Sequence, residues 1–178
     1  GGRNGNGGEE CIWRPQGKIA GGVGTAGANV RFADLDNNGL ADYVVVNPDG
    51  SVQAWLNGGR NGNGGEEWIW RPQGTIAGGV GAPGSQIRFA DLNRDGLADY
   101  LRVNDNSATQ AWVNGGIKPT GGDWYWTPLN TIAGGVGAPC SQIRFADLTG
   151  DDRPDYLVLH DNSSVDLWIN GGPRGDAD

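Results

Sequence analysis

Methionine is missing from this sequence and histidine occurs once, as His160. With one imidazole, no serine finds a histidine–acid pair in the sequence pattern, which removes the usual nucleophilic hydrolase chemistry. His160 takes a turn position that Asn47 and Asn104 fill elsewhere, and it reads as a solvated turn residue. Cysteine is scarce too. Cys11 and Cys140 permit at most one internal disulfide, and the paired spacing of zinc modules is not there. One bridge and two unpaired thiols both remain open. No apolar run approaches the roughly 18 residues of a membrane-spanning helix. Basic charge is in short supply: 13 Lys and Arg face 21 Asp and Glu, and the net −8 argues against a nucleic-acid partner. Helical periodicity of useful length is absent. The chain starts at Gly1 without a signal peptide, as expected of a processed, secreted or trimmed product.

What is abundant is glycine, with 34 residues, and acid placed at regular intervals. The segment Arg88 to Leu101 reads strand, acidic loop, strand. Its loop offers side-chain oxygens at Asp91, Asn93, Asp95 and Asp99, with Gly96 permitting the tight turn between them. The same pattern occurs at Asp34, Asp36, Asn38 and Asp42, and again at Asp147, Thr149, Asp151 and Asp155. The loops start 57 and 56 residues apart. A period of this size with short strands and glycine-rich turns predicts an all-β repeat array of propeller blades.

Each period parses into four strands. In the first these are Val30 to Leu35, Asp42 to Asn47, Ser51 to Asn57 and Glu67 to Ala77, with an Asn47-Pro48-Asp49-Gly50 turn. One domain over 1–178 then holds blade repeats at 30–77, 86–133 and 142–170. Residues 9–20 form a lone outer strand, and the third repeat lacks an outer strand of its own.

The acidic loop is not an EF-hand. Position twelve is Val45, Arg102 or Val158 instead of glutamate, and strands flank it instead of helices. Positions one, three, five and nine supply side-chain oxygens, and position seven (Leu40, Leu97 and Arg153) supplies its carbonyl. That approaches the six to eight oxygens calcium prefers, so Ca2+ is the expected cofactor. Turn formation alone would also favour Asp, Asn and Gly, but not three copies at fixed phase. The loops and their flanking strands resemble the VCBS and FG-GAP repeats of integrin-like β-propellers. The VCBS arrangement matches better, because Gly81-Ala82-Pro83 and Gly137-Ala138-Pro139 precede the first strand instead of following the second. The resemblance implies that the acidic loop joins the two innermost strands of a blade and binds calcium. Thr149 and Asp152 depart from the pattern, so the third site is expected to be weakest.

The ending Ala54-Trp55-Leu56-Asn57-Gly58-Gly59 is also similar to secreted fungal propeller lectins. Trp13, Trp70 and Trp126 recur on the outer strand, beside polar residues that suit sugar hydroxyls. Packing between blades and stacking on a sugar are both open for them. The favoured expectation is a secreted, non-catalytic, calcium-stabilised lectin with glycan ligands, N-acetylglucosamine types first. A protein-adhesion scaffold and an appendage of a larger secreted hydrolase are the alternatives. Three blades are too few to close a ring. The spare strand at 9–20 leads to the expectation of a homodimer forming one six-bladed propeller, with one part of a longer propeller chain as the rival.

Overall fold

The computed structural model describes residues 2–3, 9–10, 15–62, 67–119 and 121–172. Two short strands, β1 (Gly2–Arg3) and β2 (Glu9–Glu10), pair antiparallel. The first blade is a four-stranded meander of β3 (Val30–Ala33), β4 (Asp42–Val46), β5 (Val52–Arg60) and β6 (Trp68–Ala77). The second repeats it with β7 (Ile87–Ala90), β8 (Asp99–Val103), β9 (Thr109–Ile117) and β10 (Trp124–Ala133). The third holds β11 (Ile143–Ala146), β12 (Asp155–Leu159) and β13 (Val165–Trp168). The expected all-β, blade-built fold is therefore what forms. No helix among the described residues is long and apolar enough to cross a membrane.

Several boundaries differ from the sequence reading. The first strand stops at Ala33 instead of Leu35, because Asp34 already turns into the acidic loop. The third strand runs on to Arg60, where it pairs with Trp68 across bulges in the β5–β6 ladder. A short 3-10 turn precedes each first strand, at Gly27–Asn29, Gly84–Gln86 and Cys140–Gln142. Within the expected strand at 9–20, residues 11–14 lie outside the described residues, and 15–20 join no ladder. A fourth strand needs a third strand beside it, and β5 and β9 are already paired with β6 and β10.

Side chains alternate across each sheet. One face is aromatic: Phe32, Tyr43 and Trp55 sit opposite one another in register. Their rings meet edge-on at centroid distances of 5.8 and 5.7 Å. The other face is aliphatic, with Val44, Val46, Val52, Ala54 and Leu56 all buried. The core lies between blades. The aliphatic face of the first blade packs on Ile87 and Tyr100 of the second, with Phe89, Trp112 and Trp126 partly buried around them. Val103 of the second blade packs on Ile143, Tyr156 and Val158 of the third. Each fully buried aliphatic side chain contributes roughly 1.5–3 kcal/mol, so stability is a property of junctions more than of single blades. Cys140 is a free thiol beside the second junction; Cys11 lies outside the described residues.

Candidate metal centre

The acidic loops join the first and second strands of each blade, and one aspartate anchors each. Both Asp42 oxygens accept backbone N–H groups, from Leu35 at 2.8 Å and from Asn57 at 2.7 Å. Asp99 is held identically by Leu92 and Asn114, both at 2.9 Å. Asp155 is held by Leu148 at 3.0 Å and Asn170 at 2.9 Å. All three aspartates are fully buried. Each therefore ties the start of its loop to the end of the third strand. Burial pushes Asp42 up to about 6 against those two N–H donors, and the charges of Asp36 and Asp34 add to the rise. Asp99 is pushed up to about 6 in the same way, with Asp95 and Asp91 as the repelling charges.

The rest of the first loop folds around Asp34. Its Oδ2 accepts the Gly39 N–H at 2.8 Å, and its Oδ1 accepts those of Asp36 and Asn38 at 3.3 Å. Gly39 has φ +78°, the left-handed conformation that allows this return. Asn38 accepts the Leu40 N–H at 2.8 Å and donates to the Asn57 carbonyl at 3.0 Å. Asp34, Asp36 and Asp42 each present a carboxylate oxygen, all within 4.8 Å of one another. Calcium binds oxygens at about 2.3–2.6 Å, so two ligands on opposite sides of one ion stand about 5 Å apart. The three oxygens fit that separation. Asp36 Oδ1 is buried without a hydrogen-bond partner, and burial together with the Asp34 charge raises the Asp36 pKa. A hard cation would supply what this oxygen lacks. The residues present thus fit calcium.

The second and third loops keep the backbone and alter the side chains. At the second, Asn93 Nδ2 donates to Asp95 Oδ2 at 2.9 Å, and Asp95 Oδ1 accepts the Leu97 N–H at 2.8 Å. Asp91 takes the N–H groups of Arg94 and Gly96, both at 2.8 Å. Among the described residues, three converging carboxylates occur only at the first loop. At the third, Asp147 accepts the N–H groups of Gly150, Asp152 and Thr149 at 2.7 to 3.0 Å. These bonds, Gly150 first, lower its pKa. Thr149 donates its hydroxyl to Asp151 at 3.1 Å, and the Arg153 guanidinium stands 3.9 Å from the other Asp151 oxygen. The Arg153 N–H bonds to Asp151 as well, at 3.1 Å. A side-chain cation thus sits beside the third loop's own carboxylate. Asp152 takes the left-handed conformation at φ 64° where the other loops have glycine.

One participant was visible in the sequence but not read as part of the site. The asparagine of each Asn-Gly-Gly ending bonds the loop's aspartate through its N–H. In the second and third blades its side chain also reaches the preceding blade: Asn114 Nδ2 donates to Leu35 O at 3.1 Å, and Asn170 Nδ2 to Leu92 O at 3.1 Å. The repetition of Asn57, Asn114 and Asn170 at fixed distance was the available signal. The first and second loops also touch directly. The Ala98 N–H donates to Asp34 O at 2.8 Å, and Asn37 Nδ2 to Asp95 O at 3.0 Å.

The outer-strand tryptophans lie elsewhere. Trp126 Nε1 donates to Ile76 O of the preceding blade at 2.7 Å, and its ring stays partly exposed. Trp70 Nε1 donates to Ile19 O at the same distance. A cleft beside Trp70 is lined by Ala20 to Val23, Tyr43 and Trp55. Trp13 lies outside the described residues. His160 Nε2 contacts Asp166 Oδ2 at 2.9 Å.

The family model described as the FG-GAP-like repeat matches this chain twice, over residues 34–102 and 91–158. Each match starts on the first aspartate of an acidic loop and ends in the second strand of the next blade. No curated protein matches the chain.

Proposed function

Since this chain belongs to the FG-GAP-like repeat family, we propose that it is a secreted, calcium-stabilised, non-catalytic propeller module that binds carbohydrate. The convergence of Asp34, Asp36 and Asp42 on one point, with a buried and unpartnered Asp36 oxygen, carries the calcium part. Calcium bound there supplies positive charge that relieves carboxylate repulsion. The chain's own residues do the rest: Asp42 ties the loop to the third strand, and Asn57 ties it to Ala41 O at 3.0 Å. Calcium on this reading is structural, because the loops lie at the inner strands and the candidate sugar-stacking rings at the outer ones.

The carbohydrate part is supported by Trp70 and Trp126. Their ring N–H groups are engaged by the carbonyls of Ile19 and Ile76, and both residues stay partly exposed. A partly exposed indole fixed at one edge is suited to stacking on a sugar ring. A glycan array followed by titration with N-acetylglucosamine tests this, with Trp70→Ala expected to weaken binding and leave calcium content unchanged. The second reading, an adhesion or scaffold module, is favoured by the same N–H bonds, since they make both rings part of the junctions. An array without signal establishes that reading instead.

A further inference from the structure

We infer that a second copy of this chain docks head-to-tail on the first, its third blade against the first blade's aromatic face. The two junctions inside the chain are built from the same parts. The tyrosine hydroxyl of the following blade donates to a turn carbonyl of the preceding one: Tyr100 to Gly50 O and Tyr156 to Ser107 O, both at 2.9 Å. The asparagine amide of the following blade donates to the carbonyl of the leucine in the preceding loop, as described for Asn114 and Asn170.

One half of such a junction is open at each end. On the first blade, Asn57 Nδ2 reaches only Ala41 O within its own blade, and the Tyr43 hydroxyl makes no hydrogen bond among the described residues. Phe32, beside them, is 61 % exposed. On the third blade, Leu148, Val165, Leu167 and Ile169 are 42–63 % exposed, although the residues at these repeat positions in the first blade are at most 7 % exposed. The exposed face has the shape and chemistry of the one that the second blade already covers. The carbonyls of Leu148 and Ser163, which accept no hydrogen bond across a junction among the described residues, stand at the repeat positions of Leu35 and Gly50.

The Trp70 bond identifies the occupant. Residues 15–23 repeat the sequence of 72–80 with Lys18 in place of Thr75, and Ile19 O takes the Trp70 N–H as Ile76 O takes that of Trp126. The N-terminal segment therefore already lies where a preceding blade's outer strand ends. Among the described residues no inner strands of such a blade stand there, and a cleft lined by Ala20–Val23 and Tyr43 lies at the place. The third blade shows the converse, with no strand on the outer edge of β13 among the described residues. Two chains satisfy both ends at once through two identical junctions, giving six blades, within the usual four to eight; three chains give nine.

The test is the mass in solution of the intact chain with calcium, by light scattering over a concentration series. Twice 18.6 kDa is expected. Ile169→Asp places a charge in the new junction and should raise the dissociation constant at least about a hundredfold. Since Ile169 is exposed in the single chain, its circular dichroism should not change. Tyr43→Phe removes only the hydroxyl and should weaken the dimer about tenfold. A monomer at every concentration overturns the inference, and so does a trimer or an open-ended series. A dimer that persists unchanged in both variants overturns the proposed faces.

Discussion

At the scale of single residues, the aspartates of one loop have separable duties. Asp42 is an anchor whose oxygens each hold a backbone N–H in a buried setting. Asp42→Ala leaves both donors unsatisfied and should cost roughly 2–5 kcal/mol with or without calcium, read by denaturant unfolding. Asp36 makes no such bond with its buried Oδ1. Asp36→Asn should leave the calcium-free stability unchanged or slightly higher, because it removes a charge beside Asp34, and should abolish calcium binding at the first loop by calorimetry. Protonation follows the same logic. Asp42 and Asp99 are raised to about 6 in the fold, above the usual value near 3.9. The folded chain without calcium therefore holds their protons more tightly than the unfolded chain. Their contribution to stability is fully present below about pH 4 and is lost as pH rises through about 6. Calcium competes with those protons, so its affinity should rise over the same interval. Carboxyl NMR titrations should place both midpoints near 6 without calcium and lower with it; midpoints near 4 without calcium would refute the assignment.

At the scale of strands and blades, alternation determines which neighbours meet. Phe, Tyr and Trp share one face and branched aliphatics the other, so a blade buries little apolar area until it stacks. The polar links across the junction are few and specific. Tyr100→Phe removes the buried bond to Gly50 O, and Trp126→Phe removes the bond to Ile76 O. Each should cost about 1–2 kcal/mol in thermal unfolding without altering calcium content. Arg153, with its guanidinium near Asp151, gives the third loop a different character from the other two. Replacing it with leucine, as at the corresponding positions 40 and 97, should strengthen calcium binding there, measurable as a tighter weakest site in titration calorimetry.

At the scale of the molecule, the first and second loops are directly joined, because Asp34 and Asp95 carbonyls each accept from the other loop. Loss of the ion should therefore be felt across junctions. A loop occupied at a hundredfold excess over its Kd gains ~2.7 kcal/mol. Excess chelator should accordingly lower the melting temperature by roughly 5–10 °C for each occupied loop, measured by calorimetry. An unchanged melt would show that the loops hold without calcium.

The repeat period, the four-stranded meander of the first two blades and the acidic loops between their first and second strands were legible in the sequence, because each rests on local spacing, whereas the anchoring role of Asp42, Asp99 and Asp155 was not. Side-chain period follows from strand geometry, and loop chemistry follows from residues only a few positions apart. The ends of β3 and β5 were less legible, since a bulge in the β5–β6 ladder and the turn at Asp34 decide where pairing stops. The role of Asn114 and Asn170 was hidden for a different reason: each side-chain amide also donates into the preceding blade, 79 and 78 residues away. Only the tertiary structure decided which face covers which, that Trp126 bonds the preceding blade, and that Ile19 stands in for Ile76 against Trp70. Such contacts join positions about one repeat apart, and three near-identical repeats leave several pairings equivalent in sequence until the sheets are stacked.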